Sequence, residues 1–157
     1  MTPDQVHLIR KSFAELARHD HVAALVFYRR LFEIDPSLRP LFVGDIEQQA
    51  KKLIDMLAAL ISMLERPLGL DMELRAMGAR HVDYGVKDEH YATVGRGLID
   101  MLAEVLGNKF TPQTREAWLA LYGAVEATMK RGAAEHPDHS SESDAQRSLP
   151  SSSSLPP

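Results

Sequence analysis

The chain has 157 residues, of which 45% are hydrophobic, so it is long enough for one domain with a real core and hardly for two. It contains no cysteine, which excludes disulfides, thiolate metal sites, iron–sulfur clusters and cysteine nucleophiles. The net charge of −4 argues against a basic surface that would bind nucleic acid. No apolar run reaches the length of a membrane span, and the amino terminus lacks the pattern of a secretory signal. We therefore expect a cytoplasmic protein that binds neither nucleic acid nor membrane.

The composition changes near the carboxyl end. Residues 134–157 are rich in serine and proline and carry four acidic residues against the single basic Arg147. Such a segment buries too little apolar surface to offset the entropy of ordering. We predict a globular domain over 1–133 and a disordered acidic tail over 134–157.

The globular region is predicted to be all-α, because apolar residues recur at spacings of three and four and no alternating strand pattern is present. Thr2-Pro3-Asp4-Gln5 is a capping-box start with proline at the first helical position. His19-Asp20-His21 interrupts the pattern, and Asp35-Pro36 opens a short helical turn that ends near Leu41-Phe42. The helix between these two breaks is predicted to turn inward Leu25, Tyr28, Leu31 and Phe32.

Four further helices are delimited by their capping signals. The first two are a long helix from about Asp45 to Glu65, ended by Pro67-Leu68-Gly69, and a helix capped by Asp71 and stopped by Tyr84-Gly85. The last two run from Asp88 or its neighbour to Gly107-Asn108, and from Thr111-Pro112 to Arg131-Gly132.

His81 is the most informative residue, since the helical spacing places it on one stripe with Leu74 and Met77. An inward imidazole must be hydrogen-bonded or must coordinate something, because an unpaired buried polar group costs about 1–3 kcal/mol. Taken alone, a core histidine with a backbone partner is the more common case.

Tyr28, Phe42 and Gln49 lie on, or next to, the apolar stripes of other helices. If the helix bearing Gln49 faces the one bearing His81, the space between them has apolar walls with a ligand-capable group on each side. This layout suits haem, which needs one axial imidazole and an open opposite face where a hydroxyl or amide can reach a bound gas. A core tyrosine, a core phenylalanine and a boundary glutamine remain the plain alternatives. Zinc, di-iron and Ser–His–Asp sites lack their motifs.

Four segments of the chain stand out as a set. They are Phe27-Tyr28-Arg29-Arg30-Leu31-Phe32, Asp35 to Phe42, Gln49-Ala50-Lys51-Lys52-Leu53 and Arg80 to Tyr91. Together they resemble bacterial single-domain globins, namely Vitreoscilla-type haemoglobin and the globin domain of flavohaemoglobins. The resemblance covers residues 2 to about 132 and keeps the family's order and spacing.

This resemblance implies a globin fold around haem b, with His81 as the proximal iron ligand and with Tyr28 and Gln49 stabilising bound O₂. The residues that it places against the cofactor are Phe42, Lys52, Leu53, Arg80, Val86, Tyr91 and Val94. Lys52 and Arg80 would pair with the haem propionates, although both are equally well explained as solvated surface charges.

The chain departs from the family at the last helix, where its relatives place a glutamate that supports the proximal imidazole. The matching position here is Ala133, and Glu135 lies beyond Gly132. Peroxidase-like activation of the iron is therefore not expected. A flavin and nicotinamide domain is also missing from the 157 residues, so any redox turnover is expected to need an external reductase.

We expect reversible binding of O₂, and of CO and NO, in oxygen transport or scavenging, by a monomer or weak homodimer. Three alternatives stay open: an NO dioxygenase in NO detoxification, supplied by an external reductase; a gas or redox sensor; and a partner-binding module that uses the fold without carrying gas.

Overall fold

The computed structural model describes residues 1–42 and 44–136, which form six α-helices and two short 3₁₀-helices with no strand among them. The α-helices are α1 (Pro3–Ala17), α2 (Asp20–Ile34), α3 (Ile46–Ser62), α4 (Pro67–Asp83), α5 (Asp88–Leu106) and α6 (Pro112–Ala134). The 3₁₀-helices are Pro36–Leu41, between α2 and α3, and Gly107–Lys109, between α5 and α6. The prediction of an all-α domain is confirmed.

Three helices begin where side chains satisfy the first free backbone N–H groups. At α1 the Thr2 hydroxyl accepts from the Gln5 N–H and the Gln5 side chain accepts from the Thr2 N–H, both at 3.1 Å, as the capping box predicts. At α3 the Asp45 side chain accepts from the Glu47 N–H, and at α6 the Thr111 hydroxyl accepts from the Thr114 N–H.

The core lies between α2 and α5, with α1 and α6 packed across them. Its largest fully buried side chain is Trp118 on α6. The indole Nε1 of Trp118 donates to the Ser12 hydroxyl on α1 at 2.8 Å, so the polar atom of this large side chain is satisfied inside the core. This bond ties the first helix to the last.

Helix α4 is held against α6 by two glycines. A side chain at Gly78 would collide with the backbone at Met129, and one at Gly132 would collide with the backbone at Arg75. The two backbones therefore approach as closely as glycine allows. Because His81 lies one turn after Gly78 on α4, this close contact also fixes the position of its imidazole relative to α6. By contrast, α3 and α4 make at most marginal contact with each other, and a cavity separates them.

Two predicted details are wrong. Asp71 does not cap α4; the helix begins at Pro67 with Arg66 at its cap, and Asp71 lies inside it, bonded to Arg75 at 2.9 Å. Proline at the first helical position starts a helix as readily as it ends one, because the N–H that it lacks has no helical partner there. Leu25 was expected to face inward and is exposed instead, since the buried stripe of α2 runs through its neighbours Ala24 and Val26.

The last helix ends at Ala134, one residue beyond the predicted domain boundary. The predicted tail lies outside the described residues from position 137 onward. None of the described helices is long and apolar enough to cross a membrane.

Candidate functional site

A cavity of about 290 Å³ lies between α3 and α4 and is bounded by α2, α5 and α6. Its walls are mostly apolar side chains. The structure brings together in this wall every predicted site residue except Arg80: Tyr28, Phe42, Gln49, Lys52, Leu53, His81, Val86, Tyr91 and Val94. A concave apolar space with a few convergent polar groups is the usual form of a cofactor site.

His81 lines the cavity from α4. Its Nδ1 lies 2.7 Å from the Met77 carbonyl oxygen. Because a carbonyl only accepts, Nδ1 must be the protonated nitrogen, and the lone pair of the neutral ring is on Nε2. Burial lowers the pKa of His81, the bond to Met77 opposes that shift, and the charge of Arg80 adds to it. The imidazole is therefore neutral at pH 7 and suited to bind a metal through Nε2.

Tyr28 and Gln49 line the cavity from α2 and α3, and both are buried. The Tyr28 hydroxyl donates to the Gln49 backbone oxygen at 3.2 Å. Burial raises the pKa of Tyr28 to about 12, so the hydroxyl keeps its proton at any physiological pH. A tyrosine hydroxyl carries only one proton, and in this structure that proton is donated to the Gln49 backbone oxygen on α3.

Three phenylalanines fix the Tyr28 ring. Phe27 and Phe42 meet it edge-on, with ring centroids 5.0 and 5.2 Å away, and Phe32 stacks on it at 6.0 Å. Such offset and edge-to-face arrangements are the favoured aromatic geometries. Rotation of the hydroxyl about its C–O bond is therefore the simplest motion left to this residue, because the ring itself is held on several sides.

The wall formed by α6 was not assigned to the site from the sequence, nor was His90. The residues from α6 are Trp118, Leu121, Tyr122, Val125 and Met129. Their helical spacing was visible as an inward stripe, but an apolar stripe does not distinguish a core from a cofactor wall. His90 lies in the first turn of α5, and its Nδ1 accepts from the Lys87 N–H at 2.9 Å.

The two predicted propionate partners are placed differently. Lys52 is exposed and forms part of the cavity wall, so it stands where the cavity reaches the surface. Arg80 is exposed and is not part of the wall, although its charge is felt at the neighbouring His81.

On the His81 side, no carboxylate of the last helix supports the imidazole among the described residues. Ala133 is buried, and Glu135 is turned toward Arg75, with 2.8 Å between the Glu135 Oε2 and the Arg75 Nη1. The partner of the His81 Nδ1 is a neutral backbone carbonyl, which makes the ring less electron-rich than a carboxylate would.

Comparison with known proteins agrees with this geometry. Residues 25–129 match the globin family. The chain is 32% identical to neuroglobin of Danio rerio over 85% of this chain and 93% of that protein. Among solved structures it is similar to an engineered carbene transferase from a putative nitric oxide dioxygenase of Rhodothermus marinus, with 30% identity, a TM-score of 0.75, and coverage of 86% of this chain and 94% of that one. A bacterial globin of Campylobacter jejuni shares the fold with 23% identity and a TM-score of 0.75, over 85% of this chain and 97% of that one.

The match covers more than half of the chain, and the cavity with its neutral imidazole fits the cofactor that this family holds. The chain therefore belongs to the globin family, which implies a haem cofactor and haem-based binding of small gases.

Proposed function

We propose that this chain holds haem b through the Nε2 of His81 and binds O₂ reversibly, along with CO and NO, in the manner of a bacterial single-domain globin. The observation that carries the proposal is the bond from the His81 Nδ1 to the Met77 carbonyl, which leaves Nε2 as the ligand nitrogen in an apolar cavity. Haem iron supplies a position at which a small gas coordinates reversibly.

Tyr28 and Gln49 face the gas in this proposal. Tyr28 remains a neutral donor because burial holds its pKa at about 12. To donate to a bound gas, the Tyr28 hydroxyl must turn its proton away from the Gln49 carbonyl. The free energy of gas binding therefore gains only the difference between the free energies of the two hydrogen bonds. The Gln49 side-chain amide is the second candidate donor.

The neutral partner of His81 favours reversible binding over peroxidase-like chemistry. A carboxylate on the last helix would push electron density toward the metal through the imidazole. Here that carboxylate is replaced by Ala133, and Glu135 is engaged with Arg75. Within residues 44–136, therefore, no carboxylate gives the imidazole the support that peroxidase-like activation requires.

Lys52, together with Arg80 at the surface, is proposed to pair with the haem propionates. His90 joins them as a candidate, because it lines the cavity near Lys87 and Val86. These contacts would hold the cofactor's polar edge at the surface while Phe42, Leu53, Val86, Tyr91 and Val94 bury its apolar part.

Haem reconstitution tests the proposal. We expect the full chain to take up one haem, and His81→Ala to lose stable retention because the axial nitrogen is gone. Added imidazole should restore a haem complex in that variant, since the free base can enter the space left by the ring. Equal haem retention by His81→Ala without imidazole would refute the axial assignment. Leu68→Ala, at an exposed position that does not line the cavity, is the control and should bind haem normally.

A second candidate function is NO dioxygenation with an external reductase. The similarity to an engineered enzyme from a putative nitric oxide dioxygenase supports it. The reaction joins NO and O₂ and takes up one electron to give nitrate, so its electron must be supplied from outside these residues. Steady NO consumption with a ferredoxin- or flavin-type reductase and O₂ would support this activity. A single turnover followed by arrest, with reductant still present, would argue for a passive gas binder.

A further inference from the structure

A second hollow lies on the surface between α5 and α6. It is a groove lined by small and apolar residues, including Ala92, Gly95 and Ile99, and by several charged residues. Among the described residues, Tyr122 alone belongs both to this groove and to the wall of the central cavity. The Tyr122 ring therefore lies at the boundary between the surface groove and the central cavity.

The Tyr122 ring occupies the place that a side chain at position 95 would take. A Cβ atom on Gly95 would lie 2.5 Å from the Tyr122 Cε2, so only glycine lets the ring lie against α5. The Tyr122 hydroxyl donates to the Tyr91 backbone oxygen at 2.6 Å. This hydrogen bond, here called the latch, holds the ring of α6 against α5. Burial raises the pKa of Tyr122, so the latch keeps its proton at neutral pH.

We propose that the groove between α5 and α6 is a second route by which a diatomic gas reaches the cavity, and that Tyr122 is its gate. When the hydroxyl leaves the Tyr91 carbonyl, the ring can swing outward and join the groove to the cavity. Gly95 contributes no side chain on the α5 side, so an outward swing of the ring leaves space there for a small uncharged molecule. The route rests on the proposed gas binding at a His81-held haem.

Carbon monoxide rebinding after flash photolysis of the haem-loaded full chain tests the gate. Tyr122→Phe keeps the ring and removes the latch. Its loss should raise the open population, and with it the part of the bimolecular association rate that passes through the groove, by about 2- to 12-fold. The fraction of CO that rebinds before leaving the protein should fall at the same time. Tyr122→Ala removes the ring and should show the larger change in both quantities.

The blocking variant separates a gate from a merely structural tyrosine. Ala92 is exposed and lines the groove, so Ala92→Trp should close the groove from outside. Added to Tyr122→Phe, it should abolish the increase in the association rate. Val125→Ala, a matched change in the cavity wall away from the groove, should give an association rate that does not respond to Ala92→Trp.

Two results would overturn the route. One is parental rates in both Tyr122 variants when their CO spectra are normal; the other is an increase that persists in full when Ala92→Trp is present. Absence of any CO complex in the parent would instead refute the gas-binding proposal, and the route with it. If Tyr122→Ala does not fold, the pair Tyr122→Phe with and without Ala92→Trp still decides the question.

Discussion

Replacing Tyr28 with phenylalanine probes the proposed distal donor most directly. The hydroxyl donates to the Gln49 carbonyl at 3.2 Å in the gas-free protein. An ordinary hydrogen bond is worth about 0.5–1.5 kcal/mol and one to a strongly polarised acceptor about 1.5–3 kcal/mol, so moving the proton to bound O₂ gains only about 1–2 kcal/mol. Tyr28→Phe should therefore speed O₂ dissociation by about 5- to 30-fold, since about 1.4 kcal/mol corresponds to a factor of ten.

The assay is stopped-flow replacement of O₂ by CO in the ferrous protein. Tyr84→Phe is the matched control, because Tyr84 also lines the cavity but lies beside His81, where its hydroxyl does not face the gas in this proposal. Its dissociation rate should stay close to that of the parent. An unchanged rate in Tyr28→Phe would refute the reasoning and would mean that the hydroxyl stays with the Gln49 carbonyl when gas is bound.

The same assay adds a pH test: with the pKa of Tyr28 at about 12, the parent rate should be flat from about pH 7 to 10. A break near pH 10, where an ordinary tyrosine titrates, would contradict the buried donor.

Two further predictions concern the packing that positions the site. Gly78→Ala drives a methyl group into the α6 backbone and should lower the free energy of unfolding by about 1–3 kcal/mol, as measured by thermal unfolding. It should also weaken haem retention, as measured by haem transfer to an acceptor protein. Gly69→Ala in the same helix meets only the end of the Met63 side chain, at an ordinary contact distance of 3.6 Å, and should instead be stabilising by about 0.5–1 kcal/mol. Equal effects of the two substitutions would contradict the close crossing of α4 and α6. Ser12→Ala leaves the buried Trp118 Nε1–H without its acceptor and should cost about 1–3 kcal/mol in denaturant unfolding. Ser62→Ala, at an exposed helix end, should cost far less, and similar costs would refute a role for the buried bond.

The helices were predictable because their signals are local. The capping residues Thr2, Asp45 and Thr111 satisfy backbone groups within three residues along the chain. The start of α4 was misplaced for the same reason, since Pro67 is compatible both with the end of one helix and with the start of the next. Only the packing of α4 on α6 decides between the two, and that packing is not a local property.

The cavity was predictable in its members but not in its hydrogen bonds. Helical periodicity and the family resemblance placed His81, Tyr28 and Gln49 on inward faces, and the structure brings all three to one cavity. The sequence did not indicate that Tyr28 would donate to the Gln49 backbone, because that bond depends on how α2 crosses α3. The fit of Tyr122 against Gly95 is likewise a tertiary property, since nothing in the spacing of either residue relates one to the other.

The most direct measurement is the visible absorption spectrum of the purified full chain when ferric, then reduced with dithionite, then exposed to CO. A Soret band that changes on reduction and shifts sharply with CO would be the result predicted for a haem held by His81 with its opposite face open to gas. A reduced spectrum that does not respond to CO would contradict an open gas site. The absence of any Soret band, even after haem is added, would contradict the central claim that this cavity holds haem.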